Sequence, residues 1–346
     1  MQEVKHRCRG SEASEGAQRQ GASQMQEVKD RRRGASWDLL KHMAEGIKAC
    51  GDEPVIVNED MTGPWQKDEM EPKAPIGCMF GYGGSNQMHH TKGRRRDLVE
   101  RAKKKGIYII TFDGGILSSF GNTITDPNHH WRVALYSPMN NGNFLSDNSP
   151  PDRWERMKKI WNINYAPWKK SNPNDPILFV LQPQDNWSMN ELDPIKWFND
   201  VYKKLRPMTK RKFIVRPHPN HVAAMENRLE EFPKDNVEVI IGQKFFKGDE
   251  KKHYRFNYQD ALNNCHAVVT HNSTACIDSC VRGVPTFCTS DLALAWPVAN
   301  KDLSKIENPE YPDRDQWVYD LGYKQWTEAE IKNGTVFKRF KEKLGL

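Results

Sequence analysis

From Trp37 onward, short apolar runs alternate with amphipathic stretches of roughly ten residues. The runs suit strands buried on both faces, and the stretches between them suit covering helices. In the first part of the chain the pattern predicts a helix over Asp38–Ala49 and strands at Val55-Ile-Val and Ile76-Gly-Cys-Met-Phe. A helix over Asp97–Lys105 follows, then a strand over Ile107–Phe112 that runs into Asp113-Gly-Gly. Such alternation predicts a parallel sheet. Residues 121–170, rich in Asn, Pro and Trp, read as an irregular excursion over the sheet edge, and Asn164–Asp175 as a linker. The alternation then resumes, with strands at Ile177–Gln182, Phe213–Arg216, Val237–Ile241, Ala267–Thr270 and Thr286–Cys288. The helices between them fall near Pro194–Leu205, Val222–Glu231, Tyr258–Asn264 and Thr274–Arg282. The fold class this predicts is α/β, with two Rossmann-like domains facing a central cleft. The divisions are a disordered basic tail over 1–34, a first domain over 35–170, a second over 171–290, and a segment over 291–346 that packs back toward the first.

Composition narrows the class. The tail holds a near-duplication, Met1-Gln-Glu-Val-Lys recurring at Met25, and eight of the basic residues behind the net charge of +7 lie in positions 1–35. The basic excess in the rest of the chain is therefore modest, compatible with an anionic ligand but no proof of one. No apolar run approaches the ~20 residues that span a bilayer, so the expectation is a cytoplasmic protein without a transmembrane segment. Seven cysteines without a secretory leader suggest reduced, buried thiols. Cys276 and Cys280 lie one helical turn apart, which suits a shared buried face better than a zinc knuckle, and the expectation is no metal.

Candidate chemistry gathers where strands stop. In Arg216-Pro-His-Pro219 the prolines cannot continue a ladder. Arg216 then offers a guanidinium fork to a phosphate, and His218 a titratable donor. After Ala267-Val-Val-Thr, the turn His271-Asn272-Ser273-Thr274 can cap a helix and present amides and hydroxyls to an anion. Asp278 follows one turn later, where it could meet a ribose, and Gly283-Val-Pro285 ends the helix. Asp113, beside Gly114 and Gly115, could serve as a general base, or simply form a turn. Gly81-Tyr-Gly83-Gly84 would allow close backbone approach at a neighbouring strand end. It lacks a full dinucleotide fingerprint and a P-loop lysine, which sets both of those classes aside.

These residues resemble a family. Asp278-Ser-Cys-Val-Arg-Gly283-Val-Pro285 is similar to the donor-site helix of GT-B glycosyltransferases, which commonly reads Glu-Ala-x-x-x-Gly-x-Pro. More narrowly, Phe112-Asp113-Gly114-Gly-Ile-Leu-Ser-Ser119, Arg216-Pro-His218-Pro and His271–Thr274 resemble the capsular polysaccharide synthesis and export group that includes Kdo transferases. Lys324-Gln-Trp-Thr-Glu-Ala-Glu-Ile-Lys-Asn-Gly334 also fits that group. The family's acidic residue before Asp113 is Phe112 here, its Arg is Ser118, and its donor-site Glu is Asp278.

The resemblance implies a GT-B fold and transfer of a sugar from a nucleotide-sugar co-substrate to an acceptor hydroxyl, without a cofactor or metal. The donor would contact Arg216, His271, Asn272, Ser273, Thr274, Asp278 and Gly283, with Asp113 and His218 as the catalytic residues. Gly83, Gly84 and Gly114 would lie on the acceptor side, and His89 or His90 are alternative bases. The acceptor would be a capsule-type glycan or a hydroxymethylated DNA base, the latter flipped out of its duplex. Teichoic-acid-type glycerophosphotransfer and non-enzymatic nucleic-acid binding remain the alternatives. Asp313-Arg-Asp315 matches a metal-binding pattern, but it follows Pro-rich sequence with no strand before it and reads as a solvated loop.

Overall fold

The computed structural model describes residues 38–54, 75–82, 94–170, 172–183, 186–190, 192–241, 243–246, 252–255 and 258–346. The strand expected at Val55, the tail, His89, His90, Gly83 and Gly84 lie outside them.

The described residues hold two main sheets. The first combines β1 (Ile76–Phe80), β2 (Tyr108–Asp113), β3 (His130–Leu135) and, from far downstream, β11 (Gln325–Thr327), in the order β1-β2-β3-β11. Only β1 and β2 run parallel, while β3 is antiparallel to both β2 and β11. The sheet is therefore mixed, not parallel as the alternation suggested, and residues 121–170 are not wholly irregular. Every residue of β3 is buried, including His130 and Arg132. Those two polar residues, flanked by Asn and Pro, hid the strand from a reading based on hydropathy. The connection from β2 carries no crossover helix, so the chain returns antiparallel.

The second sheet is parallel throughout. It comprises β4 (Ile177–Val180), β5 (Phe213–Arg216), β6 (Val237–Val239), β9 (Ala267–Thr270) and β10 (Thr286–Cys288), in the order β10-β9-β4-β5-β6. Its central strands, Ile-Leu-Phe-Val and Ala-Val-Val-Thr, are buried at every position, as a sheet covered on both faces requires. Between β6 and β9 lies a hairpin of β7 (Gln243–Phe246) and β8 (Lys252–Arg255), which the sequence reading had missed.

Helix α1 covers 38–49, α2 is Arg94–Lys104 and α3 Asp152–Ile160. Helix α4 (Pro194–Leu205) starts cleanly: the Asp193 carboxylate accepts from the Ile195 and Lys196 amides at 2.9 Å, and Pro194 occupies the first turn. The remaining helices are α5 (Val222–Glu226), α6 (Tyr258–Asn263), α7 (Ala275–Val281), α8 (Asp315–Gly322), α9 (Glu328–Lys332) and α10 (Thr335–Leu344). Among the described residues no helix is long and apolar enough to cross a membrane, and the cysteines there are free thiols.

The last segment returns to the first lobe. Val336, Phe337 and Phe340 of α10 join Leu39 and Met43 of α1 in one core with Ile110, Phe112 and Val133. A second core joins the lobes, packing Ile116, Leu117, Trp154 and Met157 against Cys276, Ile277 and Cys280 of α7 and Trp317, Val318 and Leu321 of α8. Arg314 staples this junction. Its guanidinium lies 3.9 Å over the Trp168 ring, and it donates to the carbonyls of Cys280 and Ala166.

The turn after β2 depends on one of its two glycines. A Cβ at Gly115 would lie 2.2 Å from Asn122 Nδ2 and 2.6 Å from the His130 carbonyl, whereas at Gly114 it would meet nothing within 4 Å. Gly115→Ala should therefore destabilise by roughly 2 kcal/mol or more, and Gly114→Ala by less than about 1 kcal/mol, as read from chemical denaturation midpoints.

Candidate active site between the lobes

The parallel register brings the strand ends into line. Val180 pairs with both Arg216 and Thr270, and Thr270 with Cys288. The loops that follow these four strands thus emerge along one edge of the sheet. The chain runs β4, β5, β6 in one direction and then returns to place β9 and β10 on the other side of β4. The point of reversal lies between β4 and β9, the position where open α/β sheets form their ligand crevice.

Here the crevice floor is closed by side chains. The Asn272 side-chain amide donates to the Ser188 carbonyl at 2.8 Å, its backbone N–H donates to Gln182 Oε1 at 3.2 Å, and Gln182 Nε2 donates to Ser188 Oγ at 2.8 Å. Asn272 is 2% exposed. These hydrogen bonds hold it as a structural plug. The turn is also less open than an anion cradle. Ser273 Oγ accepts from the Ala275 amide at 3.3 Å, and the Ser273 carbonyl accepts from Cys276 at 3.0 Å. Among the described residues, the amides of Ser273 and Thr274 are left without a hydrogen bond, and the Thr274 side chain is exposed. Since α7 is a seven-residue helix, its dipole adds little.

His271 stands beside the turn, its Nδ1 2.9 Å from Thr289 Oγ1. The Trp197 indole, which can only donate, reaches the same oxygen at 2.8 Å. The Thr289 oxygen has two lone pairs and one proton, so it can take the Trp197 N–H and still either donate to or accept from His271 Nδ1. Burial lowers the His271 pKa, opposed by Asp291.

Arg216 ends β5 half-buried, with its guanidinium carbon 4.6 Å over the Tyr258 ring. His218 lies just beyond. Burial first, then Arg216 and His221, push its pKa down to about 4, so its imidazole is neutral at physiological pH and offers one donor and one acceptor.

Asp278 shows the largest departure from ordinary carboxylate behaviour at the site. It is 7% exposed, and burial raises its pKa to about 7, against the opposing effects of Ser119, Arg282 and Arg216. Ser119 belongs to the first lobe. It comes close enough to influence the carboxyl, yet its Oγ closes no hydrogen bond of good geometry. The Arg282 guanidinium lies 4.3 Å over the Phe120 ring, again across the lobe boundary. At another point of that boundary Tyr82 meets Trp187 with ring centroids 5.4 Å apart, and Asn140 Nδ2 donates to the Asp291 carbonyl at 2.8 Å.

Four residues make local contacts. Gly283 has φ +75°, and a Cβ there would lie 2.0 Å from the Pro167 carbonyl, so it is a helix-ending glycine pressed against the linker. Asp113 Oδ1 accepts from the Gly114 amide at 2.7 Å, and Oδ2 lies 3.5 Å from Arg132 Nη2. The carboxylate is thus held in an ion pair at the end of β2, with Arg132 also donating to the carbonyls of Gly114 and Pro138. In Asp313-Arg314-Asp315, Asp313 accepts from the Asp315 amide and Asp315 from the Tyr165 hydroxyl, so both carboxylates serve the start of α8.

The structure therefore gathers Arg216, His218, Asp278 and the rim of the 271–274 turn at aligned strand ends. It adds Ser119, Arg282, Tyr258 and Trp187, which sequence reading passed over. Ser119 and Arg282 are ordinary surface residues by composition. Arg282 lies one helical turn from Asp278, its amide donating to the Asp278 carbonyl, whereas only the packing of one lobe on the other brings Ser119 there.

No family model and no curated protein matches the chain. Among solved structures, the chain is similar to Thermosulfurimonas dismutans KpsC, beta Kdo 2,4 transferase, with a TM-score of 0.48 and 14% identity over 82% of this chain and 87% of that one. It is also similar to the beta Kdo 2,7 transferase of the same protein, with a TM-score of 0.44 and 10% identity over 80% and 85%.

A carboxyl whose pKa rises from 3.8 unfolded to about 7 folded keeps its proton longer in the native state. Stability should then fall as pH rises from about 4 to about 7 and level off above that. Asp278→Asn should remove this loss. Relative to wild type, the variant should gain about 2 kcal/mol or more between pH 4 and pH 8, measured by urea denaturation across that range. A constant difference between the two proteins would place Asp278 in an ordinary hydrated environment.

Proposed function

We propose that the protein is a GT-B glycosyltransferase that moves a sugar from a nucleotide-sugar donor to an acceptor hydroxyl. The observation that carries this reading is the alignment of β4, β5 and β9, whose ends bring Arg216 and His218 to the edge where Asp278 meets the other lobe. In this reading the donor diphosphate lies across Arg216, with the exposed rim of the 271–274 turn and the His271 imidazole as further donors. Charge on the departing diphosphate is then met by fixed guanidinium and N–H groups, the electrostatic role a metal fills elsewhere. His218, neutral at working pH, hydrogen-bonds a phosphoryl oxygen without a net charge. Asp278 contacts the donor from the lobe boundary.

On the first lobe, Asp113 is the base that receives the acceptor's proton. Its carboxylate is oriented by Arg132 and the Gly114 amide, which fixes the direction of proton transfer. Gly114, with open space at its Cβ position, leaves room for the acceptor. A capsule-type glycan is the acceptor proposed first, and a hydroxymethylated DNA base second.

A thermal-shift screen against UDP-, GDP-, CDP- and CMP-linked compounds tests the reading. A true donor at 100 times its Kd should stabilise by about 2.7 kcal/mol, a rise of several degrees in Tm. Arg216→Gln should abolish that rise and lower turnover by roughly a hundredfold or more. Stabilisation by CDP-glycerol alone would assign phosphotransfer instead. If no nucleotide raised Tm while DNA bound with steep salt dependence, the protein would be a binding module.

A further inference from the structure

The lobe boundary encloses polar groups around one carboxyl. Arg282 Nε is buried with no hydrogen-bond partner among the described residues, and the Ser119 hydroxyl stands beside the Asp278 carboxyl. The Asp278 carboxyl lies between these elements, almost fully buried. Each buried donor without an acceptor costs on the order of 1–3 kcal/mol, so a ligand that supplies acceptors recovers that energy.

The charged and titratable groups around Asp278 come from four elements. Ser119 belongs to the segment after β2, Arg216 to β5, Tyr258 to α6, and Arg282 to the end of α7. Tyr258 stays neutral, held well above its usual range by burial, and its hydroxyl donates to the Ala275 carbonyl at 3.2 Å. His218 and His221 stand next to Arg216. The set is rich in donors: two guanidiniums and a hydroxyl surround a single carboxyl. An ionised Asp278 would compete with an incoming anion for those guanidiniums. A protonated Asp278 would instead become a further donor.

We propose that this cluster receives a diphosphate oxygen of the ligand and that Asp278 takes up a proton as the ligand binds. The proposal rests on the reading of the inter-lobe site as a donor diphosphate site, and it adds proton linkage to that site. Ligand binding then weakens as pH rises, because above neutrality the carboxylate must first be protonated.

Calorimetric titration with inorganic pyrophosphate at pH 7.5, in buffers of low and high ionisation enthalpy, tests it. Wild type should take up about half a proton more than Asp278→Asn. The wild-type affinity should also fall roughly tenfold more than the variant's between pH 6.5 and pH 8.5. Equal uptake by the two proteins would assign the proton to His218 or to pyrophosphate itself and overturn the proposal. Binding by neither protein would remove the donor site, and the linkage with it, a result distinct from binding without linkage. Should Asp278→Asn not fold, the wild-type protein decides alone: an affinity that stays flat across that pH range overturns the proposal.

Discussion

The packing of residues 116–120 onto α7 is the contact on which the rest of the site depends. Ile116 and Leu117 bury against Cys276, Ile277 and Cys280, and each such side chain contributes roughly 1.5–3 kcal/mol when fully removed from water. The same contact carries Ser119 over Asp278 and Phe120 under Arg282. Apolar burial next door thus offsets the unfavourable enclosure of a carboxyl. Without that segment, Asp278 would be an ordinary hydrated acid on a short helix.

A retained destabilising group is a mark of function rather than of folding. The boundary between the lobes keeps the Asp278 carboxyl out of water, its pKa raised despite Ser119, Arg282 and Arg216, and among the described residues Arg282 Nε has no acceptor. Elsewhere the chain handles buried charge carefully. Arg153 is matched to Glu330, whose pKa is held down to about 2, and Arg314 is held by two carbonyls and two aromatic rings. The contrast separates ion pairs that hold the architecture from polar groups that wait for a partner.

The chain's ends reinforce the same geometry. Strand β11 and helix α10 complete the first lobe from the far end of the sequence, so the first lobe cannot form fully until the second has been traversed. Arg314 then fastens the returning chain to the linker and to α7. The position of Asp113 relative to α7 is thereby fixed both by the linker and by the returning C-terminal segment.

The sequence by itself determined the parallel sheet of the second lobe, though not the β7–β8 hairpin inserted in it. Continuous apolar strands such as Ile177–Val180 and Ala267–Thr270, each followed by Pro, Gly or polar turns, admit little besides a covered parallel sheet, and Arg216 and the 271–274 turn follow from where those strands stop. The mixed first sheet was not legible, because β3 carries the polar residues His130 and Arg132 into the core, and β11 arrives roughly two hundred residues later. Tertiary structure alone decided which polar residues were free to act. It turned Asn272 inward to plug the crevice, gave Gly283 a packing role, set Ser119 beside Asp278 and laid Phe120 against Arg282. The physical reason is that hydropathy and turn chemistry are local properties, whereas the burial of a polar group and the identity of its partners depend on which distant surface is packed against it.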